Sequence, residues 1–309
     1  MKQWKQILLL GLCLMLSGCG AGREDPDPTR AAVQTTAPTV TSTTAPTTAP
    51  AAEPTLSVRE ITDRQFRPAW DQGNCRSLRG DVTALVFFMD DDAGSWTGDQ
   101  IAWFMEEALR PGFDYLERSA WSWGVELRMD ASYFCTDDTH TIRYPGVYDP
   151  DLGSAGAQYD VPDVLAGCLG FRDRREMDRY FREYFHRDEV LYFVALSSGG
   201  TSYTMADSDP DGYDQVEYAV FFRTYTDGTP VNAFTVAHET MHFYGAEDYY
   251  DPFGTFPGRK AVAEERYPDD LMLRWAADVN ELSVSDVTAY TVGWTDEIPQ
   301  VLYWPEWGN

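Results

Sequence analysis

One short stretch, residues 238–248, constrains the fold of this chain more than any other. It reads HETMHFYGAED, so a glutamate directly follows the first of two histidines. Residues i and i+4 lie on one face of an α-helix, so His238 and His242 can direct two imidazoles at one metal ion. Glu239 would then stand beside that ion, where it can take a proton from a water on the metal. The chain contains 4 histidines, and this stretch holds two of them.

The second half of the stretch predicts a turn that returns the chain to the metal. Gly245 suits the position just past a helix end, where a left-handed residue is needed. That turn can bring Asp248 toward the two imidazoles as a third ligand, with Glu247 as the runner-up and Asp251 also near. The alternative for the whole stretch is an exposed amphipathic helix whose histidines bind nothing.

The acidic composition excludes one large class of function. The 309 residues include 50 acidic and 24 basic side chains, which gives a net charge of -26. Such a surface repels nucleic acid and anionic lipid head groups, so we expect no nucleic-acid partner. Apolar residues make up 43% of the chain, which is enough for a sizeable core. We expect a monomer that acts outside the cell.

The first residues are typical of a bacterial lipoprotein signal. A basic start precedes an apolar run at 7–16, which is too short for a comfortable membrane span. The run ends in LSGC, which resembles a lipobox, so we expect residues 1–18 to be a signal peptide and Cys19 to carry lipid. The alternative is an ordinary secretory signal with a chance cysteine. A lipid on Cys19 would anchor the protein at the extracytoplasmic face of the bacterial membrane.

The rest of the chain divides into a linker and a folded domain. Residues 19–56 are dominated by threonine, alanine and proline, which predicts a disordered linker. Residues 57–309 form the predicted domain, which retains Cys75, Cys135 and Cys168. These allow one disulfide, but we prefer three small buried hydrophobic residues.

Hydrophobic patterning in this domain predicts a mixed α/β fold. Apolar, β-rich runs predict strands at 81–89, 125–134, 190–196 and 215–222, with a short edge strand at 201–205. A long helical pattern separates the first two strands. This order favours a parallel pair joined by a helical crossover.

The helices follow from spacing and capping signals. Helical patterns lie at 97–123 and 171–185, and a capping-box pattern at 283–286 predicts a last helix. Pro111 and Gly112 predict a break in the first of these helices. Thr229 and Pro230 predict the start of the helix that carries the histidines.

The segment DSDPDG at 207–212 resembles the start of a calcium-binding loop. Asp207, Asp209 and Asp211 would offer oxygen ligands at alternate positions. The twelfth position of such a loop is Tyr218 instead of glutamate. The alternative is a solvated acidic turn between strands, so Ca²⁺ is the weaker of the two metal expectations.

The stretch at 238–248, followed by a methionine turn at Met272, resembles the metzincin clan of zinc metallopeptidases. Within that clan it looks like bacterial lipoprotein peptidases with an HExxHxxGAxD motif. The resemblance covers about residues 81–294. It implies a mixed twisted sheet with a backing helix, an active-site helix, a Met-turn and a C-terminal helix.

The resemblance also implies roles for individual residues. His238 and His242 would be zinc ligands, with aspartate, Asp248, in place of the more usual third histidine. Glu239 would be the catalytic base, and Met272 would lie beneath the metal without ligating it.

One departure from the clan concerns the oxyanion. Some metzincins have a tyrosine two residues after the methionine, where it assists the oxyanion, and this chain has Arg274 there. Such help must come from elsewhere, and Tyr249 and Tyr250 are the candidates.

The function implied by the resemblance is that of a zinc-dependent endopeptidase. It would hydrolyse peptide bonds through a zinc-bound water that Glu239 activates. An extended protein or peptide substrate would pair with the edge strand at 201–205. Two alternatives remain: a non-catalytic cell-surface binding module on the same fold, and a zinc amidase acting on peptidoglycan.

Overall fold

The computed structural model divides the chain into two compact units, 1–61 and 62–309. The described residues all belong to the second unit. They are residues 62, 65–67, 75–138, 141–148, 160–187, 189–206, 216–250, 252, 254 and 256–307. The predicted signal peptide, Cys19 and the predicted linker lie outside them. No helix among the described residues is long and apolar enough to cross a membrane.

Five strands among the described residues form one sheet. They are β1 (Gly80–Met89), β2 (Leu127–Cys135), β3 (Val190–Gly199), β4 (Tyr203–Met205) and β5 (Tyr218–Thr224). Their order across the sheet is β2-β1-β3-β5-β4. β1 pairs in parallel with β2 and β3, and β3 in parallel with β5, whereas β4 is antiparallel to β5. The predicted mixed α/β class is therefore confirmed.

Helices account for most of the remaining regular structure. The α-helices are α1 (Gly98–Trp103), α2 (Arg110–Ser122), α3 (Val161–Cys168), α4 (Arg174–Phe185), α5 (Ala233–His242), α6 (Arg259–Arg266) and α7 (Asp286–Thr291). A π-helical segment at Phe104–Leu109 joins α1 to α2, and short 3-10 turns lie at Val279–Glu281, Gln300–Tyr303 and Pro305–Trp307. Helix α3 lies in a region where the sequence predicts no element.

The central strands are apolar because both faces of the sheet are covered. β1 is buried from Val82 to its end, and β3 is buried over nearly its whole length. Successive side chains of a strand point to opposite faces. Phe87 accordingly packs on Phe181 of α4 with ring centroids 5.8 Å apart, whereas Phe88 meets Phe104 of the π-helical segment at 5.5 Å. Continuous apolar strands are typical of a parallel sheet between two helical layers.

The predicted helix break at Pro111 and Gly112 is wrong, because the chain stays helical from α1 through α2. The π-helical segment before Pro111 uses wider hydrogen bonds, in which the N–H of Arg110 donates to the carbonyl of Met105. Pro111 directly follows this segment, as the second residue of α2.

Gly112 serves helix packing instead of breaking the helix. A Cβ at this position would lie 2.9 Å from both the carbonyl oxygen of Ala233 and the Cβ of Val236 in α5. Glycine therefore lets the backing helix α2 approach the helix that carries the histidines.

The start of α5 also differs from the prediction. Asn232 caps the helix by accepting a hydrogen bond from the N–H of Thr235 at 3.3 Å. Thr229 and Pro230 lie in a turn before it, where the carbonyl of Thr229 accepts from the N–H of Tyr225 at 2.7 Å. That turn competes with helix formation, so α5 begins later than Pro230 predicts.

The three cysteines of the domain are free thiols. Cys75 is fully buried, and burial raises its pKa well above the ordinary value, followed in effect by the charge of Glu217. Cys135 and Cys168 are half-buried. The preferred interpretation of buried hydrophobic residues therefore fits Cys75 and is only partly met by the other two.

Candidate metal centre

Two imidazoles meet on one face of α5. His238 and His242 are one helical turn apart, and their ring centroids are 4.7 Å apart. Their Nε2 atoms approach to 3.1 Å. His238 is buried and His242 is half-buried, so the pair lies at the edge of the core. The predicted convergence of two imidazoles is present.

A tight turn brings a carboxylate to the same point. Gly245 has a φ of 84°, the left-handed conformation that its position after the helix predicts. The N–H of Ala246 then donates to the carbonyl of Met241 at 3.2 Å. This reversal places Oδ1 of Asp248 3.1 Å from Nε2 of His238 and 3.5 Å from Nε2 of His242.

Backbone carbonyls fix the orientation of both rings. Nδ1 of His238 lies 3.1 Å from the carbonyl oxygen of Leu271, and Nδ1 of His242 lies 2.6 Å from that of Ala246. A carbonyl only accepts hydrogen bonds, so in each neutral ring Nδ1 carries the proton and Nε2 presents its lone pair. Carbonyl partners of this kind commonly orient metal-ligating histidines.

The resulting arrangement calls for a cation. Two imidazole lone pairs and a carboxylate oxygen face one another, with all three ligand atoms within 4.8 Å. Oδ1 of Asp248 is itself buried. Such a cluster is repulsive unless a proton or a metal ion lies within it. His238, His242 and Asp248 are therefore a group that could hold a metal ion.

The pKa shifts in the cluster also show that it favours positive charge. Burial lowers the pKa of His242, but hydrogen bonding to Asp248 and the charges of Glu239 and Asp248 outweigh it and raise that pKa to about 9. Burial raises the pKa of Asp248, but the two histidines outweigh it and hold that pKa below its ordinary value. A divalent cation would satisfy this potential more fully than a single proton.

Glu239 lies beside the cluster on the side of α5 that faces β4. Its side chain is buried, with 5% of the residue exposed. Oγ1 of Thr204, in the middle of β4, lies 2.8 Å from Oε2 and 2.9 Å from the main-chain carbonyl of Glu239. The sequence predicts this edge strand but gives no sign of the contact that its hydroxyl makes.

The turn at 270–272, which follows the metal-binding segment in the chain, supports the cluster. Asp270 is fully buried and accepts hydrogen bonds from the N–H of Met272 at 2.6 Å and of Ser285 at 2.7 Å. The hydroxyl of Thr288 in α7 donates to it at 3.0 Å. Burial raises the pKa of Asp270 despite these donors. Asp270 thus anchors the turn, a role that cannot be predicted from sequence because a buried aspartate has no local signature.

The backbone of that turn holds the metal centre at two points. The carbonyl of Leu271 contacts His238, as described above, and the carbonyl of Met272 accepts from the N–H of Tyr249 at 2.9 Å. Met272 is fully buried. The predicted place of its side chain beneath the metal stays a prediction.

The neighbours of Asp248 separate into different environments. Glu247 forms an ion pair with Arg259, and its side chain is 61% exposed. It therefore turns away from the imidazoles, whereas Asp248 turns toward them. Asp251 lies outside the described residues.

The two tyrosine candidates for the oxyanion are also distinguished. Tyr249 is buried, and its hydroxyl shares a 2.7 Å hydrogen bond with Thr288, so it is not available to a substrate. Tyr250 is 41% exposed. Partial burial, then the charge of Asp248 and a hydrogen bond to it, and then the charge of Glu239 raise the pKa of Tyr250.

The predicted calcium ligands Asp207, Asp209 and Asp211 lie outside the described residues, so Ca²⁺ stays a prediction. Glu217, which follows them, is buried and accepts a hydrogen bond from the N–H of Cys75 at 2.8 Å. That carboxylate is engaged within the domain.

Comparison with known proteins adds no relative. No protein-family model matches the chain, and no curated protein matches it. The molecule is thus defined by what it contains: a mixed α/β sheet and a His-His-Asp cluster suited to a metal ion.

Proposed function

We propose that this protein is a zinc-dependent endopeptidase of the metzincin type. The observation that carries the proposal is the convergence of three ligand atoms, from His238, His242 and Asp248, next to the buried carboxylate of Glu239. Ligands and a general base are the parts that metal-assisted hydrolysis requires.

The donor set favours zinc among the common metals. Two imidazole nitrogens and one carboxylate oxygen suit Zn²⁺, whereas Mg²⁺ and Ca²⁺ prefer oxygen ligands alone. Three protein ligands leave a coordination position for water or substrate, as in catalytic rather than structural sites. When bound, zinc would polarise the scissile carbonyl and make a water acidic enough to lose a proton near neutral pH.

Glu239 would supply the proton transfers. It directly follows the ligand His238 on α5, so its carboxylate reaches the space beside the cluster without joining it. It would accept the proton of the attacking water and pass it to the leaving amine. The hydroxyl of Tyr250, a residue that is 41% exposed, would donate a hydrogen bond to the carbonyl oxygen as negative charge develops there.

The edge of the sheet would hold the substrate. In the described part of the chain β4 pairs with β5 on one side only. An extended peptide could add to β4 through main-chain hydrogen bonds and so lie across the metal centre. We further propose that a lipid on Cys19 and the segment 19–56 tether this centre outside the cell membrane.

Glu239→Gln tests the proposal most directly. Wild-type protein should cleave casein or a peptide library, lose that activity to a chelator and regain it with Zn²⁺. The Glu239→Gln variant should bind Zn²⁺ normally but lose about 100-fold or more in kcat, because the amide cannot accept the proton. Cleavage that survives the substitution or the chelator would refute the mechanism. Release of peptidoglycan fragments without any peptide cleavage would favour the amidase alternative.

A further inference from the structure

The hydroxyl of Thr204 makes an unusual pair of contacts with one residue. Oγ1 lies 2.9 Å from the carbonyl oxygen of Glu239 and 2.8 Å from Oε2 of the same residue. The first contact ties β4 to the backbone of α5, and the second ties it to the carboxylate. The Glu239 side chain is therefore clamped between its own helix and the edge strand.

The chemistry of the hydroxyl makes it suited to both partners. A threonine hydroxyl has one proton to donate and lone pairs that accept. It can donate to the carboxylate, or donate to the main-chain carbonyl while accepting a proton held on Oε2. The contact can thus persist before and after Glu239 takes up a proton, which a backbone N–H could not offer.

The strand beneath Thr204 is held firmly enough to act as a fixed support. Thr204 lies opposite Ala219 in the antiparallel ladder with β5. Its neighbour Tyr203 points to the other face of the strand, where its hydroxyl bonds that of the buried Tyr148. The hydroxyl of Ser202 accepts from the N–H of Phe222 at 3.4 Å.

We propose that Thr204 is a positioning residue that sets the place of the Glu239 carboxylate and links it to the strand that receives the substrate. The proposal rests on the proposed function, since it assigns Glu239 the proton transfers. A peptide that pairs with β4 would bear on the same strand from which the hydroxyl reaches the base.

Three variants test the proposal. Thr204→Val removes the hydroxyl and keeps the shape, whereas Thr204→Ser keeps the hydroxyl. Thr240→Val is the matched control, because Thr240 is buried on the same helix directly after Glu239, and its hydroxyl donates to the carbonyl of Val236 at 2.7 Å. It removes the same group without touching the carboxylate.

The expected kinetic result is a change in kcat without a change in KM. Thr204→Val should lower kcat about 100-fold with KM within about twofold, because a misplacement on the order of 1 Å at a reacting group costs that much. Thr204→Ser should return kcat to within about threefold of wild type, since it restores the donor and acceptor. Thr240→Val should match wild type. Equal kcat values for Thr204→Val and Thr240→Val would overturn the proposal.

Two readouts do not depend on activity. Zn²⁺ affinity measured by calorimetry should be the same in Thr204→Val and wild type, which separates displacement of the base from loss of a ligand. A crystal structure of Thr204→Val should show the Glu239 carboxylate moved or split between rotamers, and that of Thr204→Ser should show it in place. An unmoved carboxylate in Thr204→Val would refute positioning. If the wild type cleaves no peptide, the proposed function fails, yet the carboxylate position still decides the role of Thr204.

Discussion

In both histidines of the cluster, the two ring nitrogens have different partners. The Nδ1 atoms are held by the carbonyls of Leu271 and Ala246, and the Nε2 atoms meet Asp248. Neither ring can turn away without losing a hydrogen bond. The protein's own hydrogen bonds therefore orient both rings, so metal affinity is not spent on ordering them.

Substitution of the third ligand should separate Asp248 from its neighbour. Asp248→Asn keeps the shape but removes the negative charge of a direct ligand, so we expect Zn²⁺ affinity to fall by at least the ~10–100-fold that loss of an outer-shell partner costs. Glu247→Gln is the matched control and should leave the affinity unchanged, because Glu247 pairs with Arg259 instead. Titration against a chromogenic chelator measures both. Equal affinities in the two variants would remove Asp248 from the ligand set.

The folding stability of the metal-free protein should depend on pH through the His242–Asp248 pair. His242 has a folded pKa of about 9 against an ordinary 6.5, so the stability it contributes is complete below 6.5 and is lost as pH rises through 9. Asp248 has a lowered pKa, so its contribution is present above its ordinary 3.8 and is lost only in stronger acid. In the presence of a chelator, the Tm of the wild-type protein should decrease as the pH is raised from 6.5 to 9.

Asp248→Asn provides the comparison for that pH profile. Without the carboxylate, the pKa of His242 loses the interaction that raises it most, and the fall in Tm over this range should flatten. A wild-type profile that is level from pH 6.5 to 9 in the absence of metal would contradict the prediction.

Among the elements, α2 packs closely against α5, the helix that carries the two histidines. Gly112→Ala would place a Cβ 2.9 Å from a backbone carbonyl and from a β-branched side chain of α5. Neither partner can move freely, so we expect a loss of about 1–3 kcal/mol in the free energy of unfolding. Denaturant titration measures it.

Gly167→Ala is the control for that prediction. Gly167 lies in α3, and an added Cβ would meet nothing within 4 Å. Alanine is favoured over glycine in a helix by about 0.5–1 kcal/mol, so this variant should be more stable than wild type. Destabilisation of both variants to the same extent would show that close packing is not the reason for Gly112.

At the scale of the whole molecule, the features that are predictable from sequence are those with local signatures. The apolar runs of β1 and β3 give the buried parallel strands, since both faces of those strands are covered. Likewise, the spacing of His238 and His242 and the left-handed Gly245 specify the convergence of ligands from one contiguous segment.

The features that the sequence does not reveal depend on distant partners. Thr204 reaches Glu239 from a different strand, and Asp270 gathers donors from its own turn and from α7. Gly112 looks like a helix breaker until the neighbouring helix is known. In each case an ordinary polar or small residue takes its role from what the tertiary structure places against it.

The π-helical segment at Phe104–Leu109 sets the directions in which side chains point around the helix axis before and after it. On its N-terminal side Phe104 faces the sheet, and on its C-terminal side Gly112 faces α5. Each residue of an α-helix advances the direction of its side chain by about 100°. A one-residue deletion that restored regular α-helix would keep one of these contacts and rotate the other away. The widened turn thus changes the direction in which the following side chains point. A single continuous helix can therefore pack against both the sheet and the metal-binding helix.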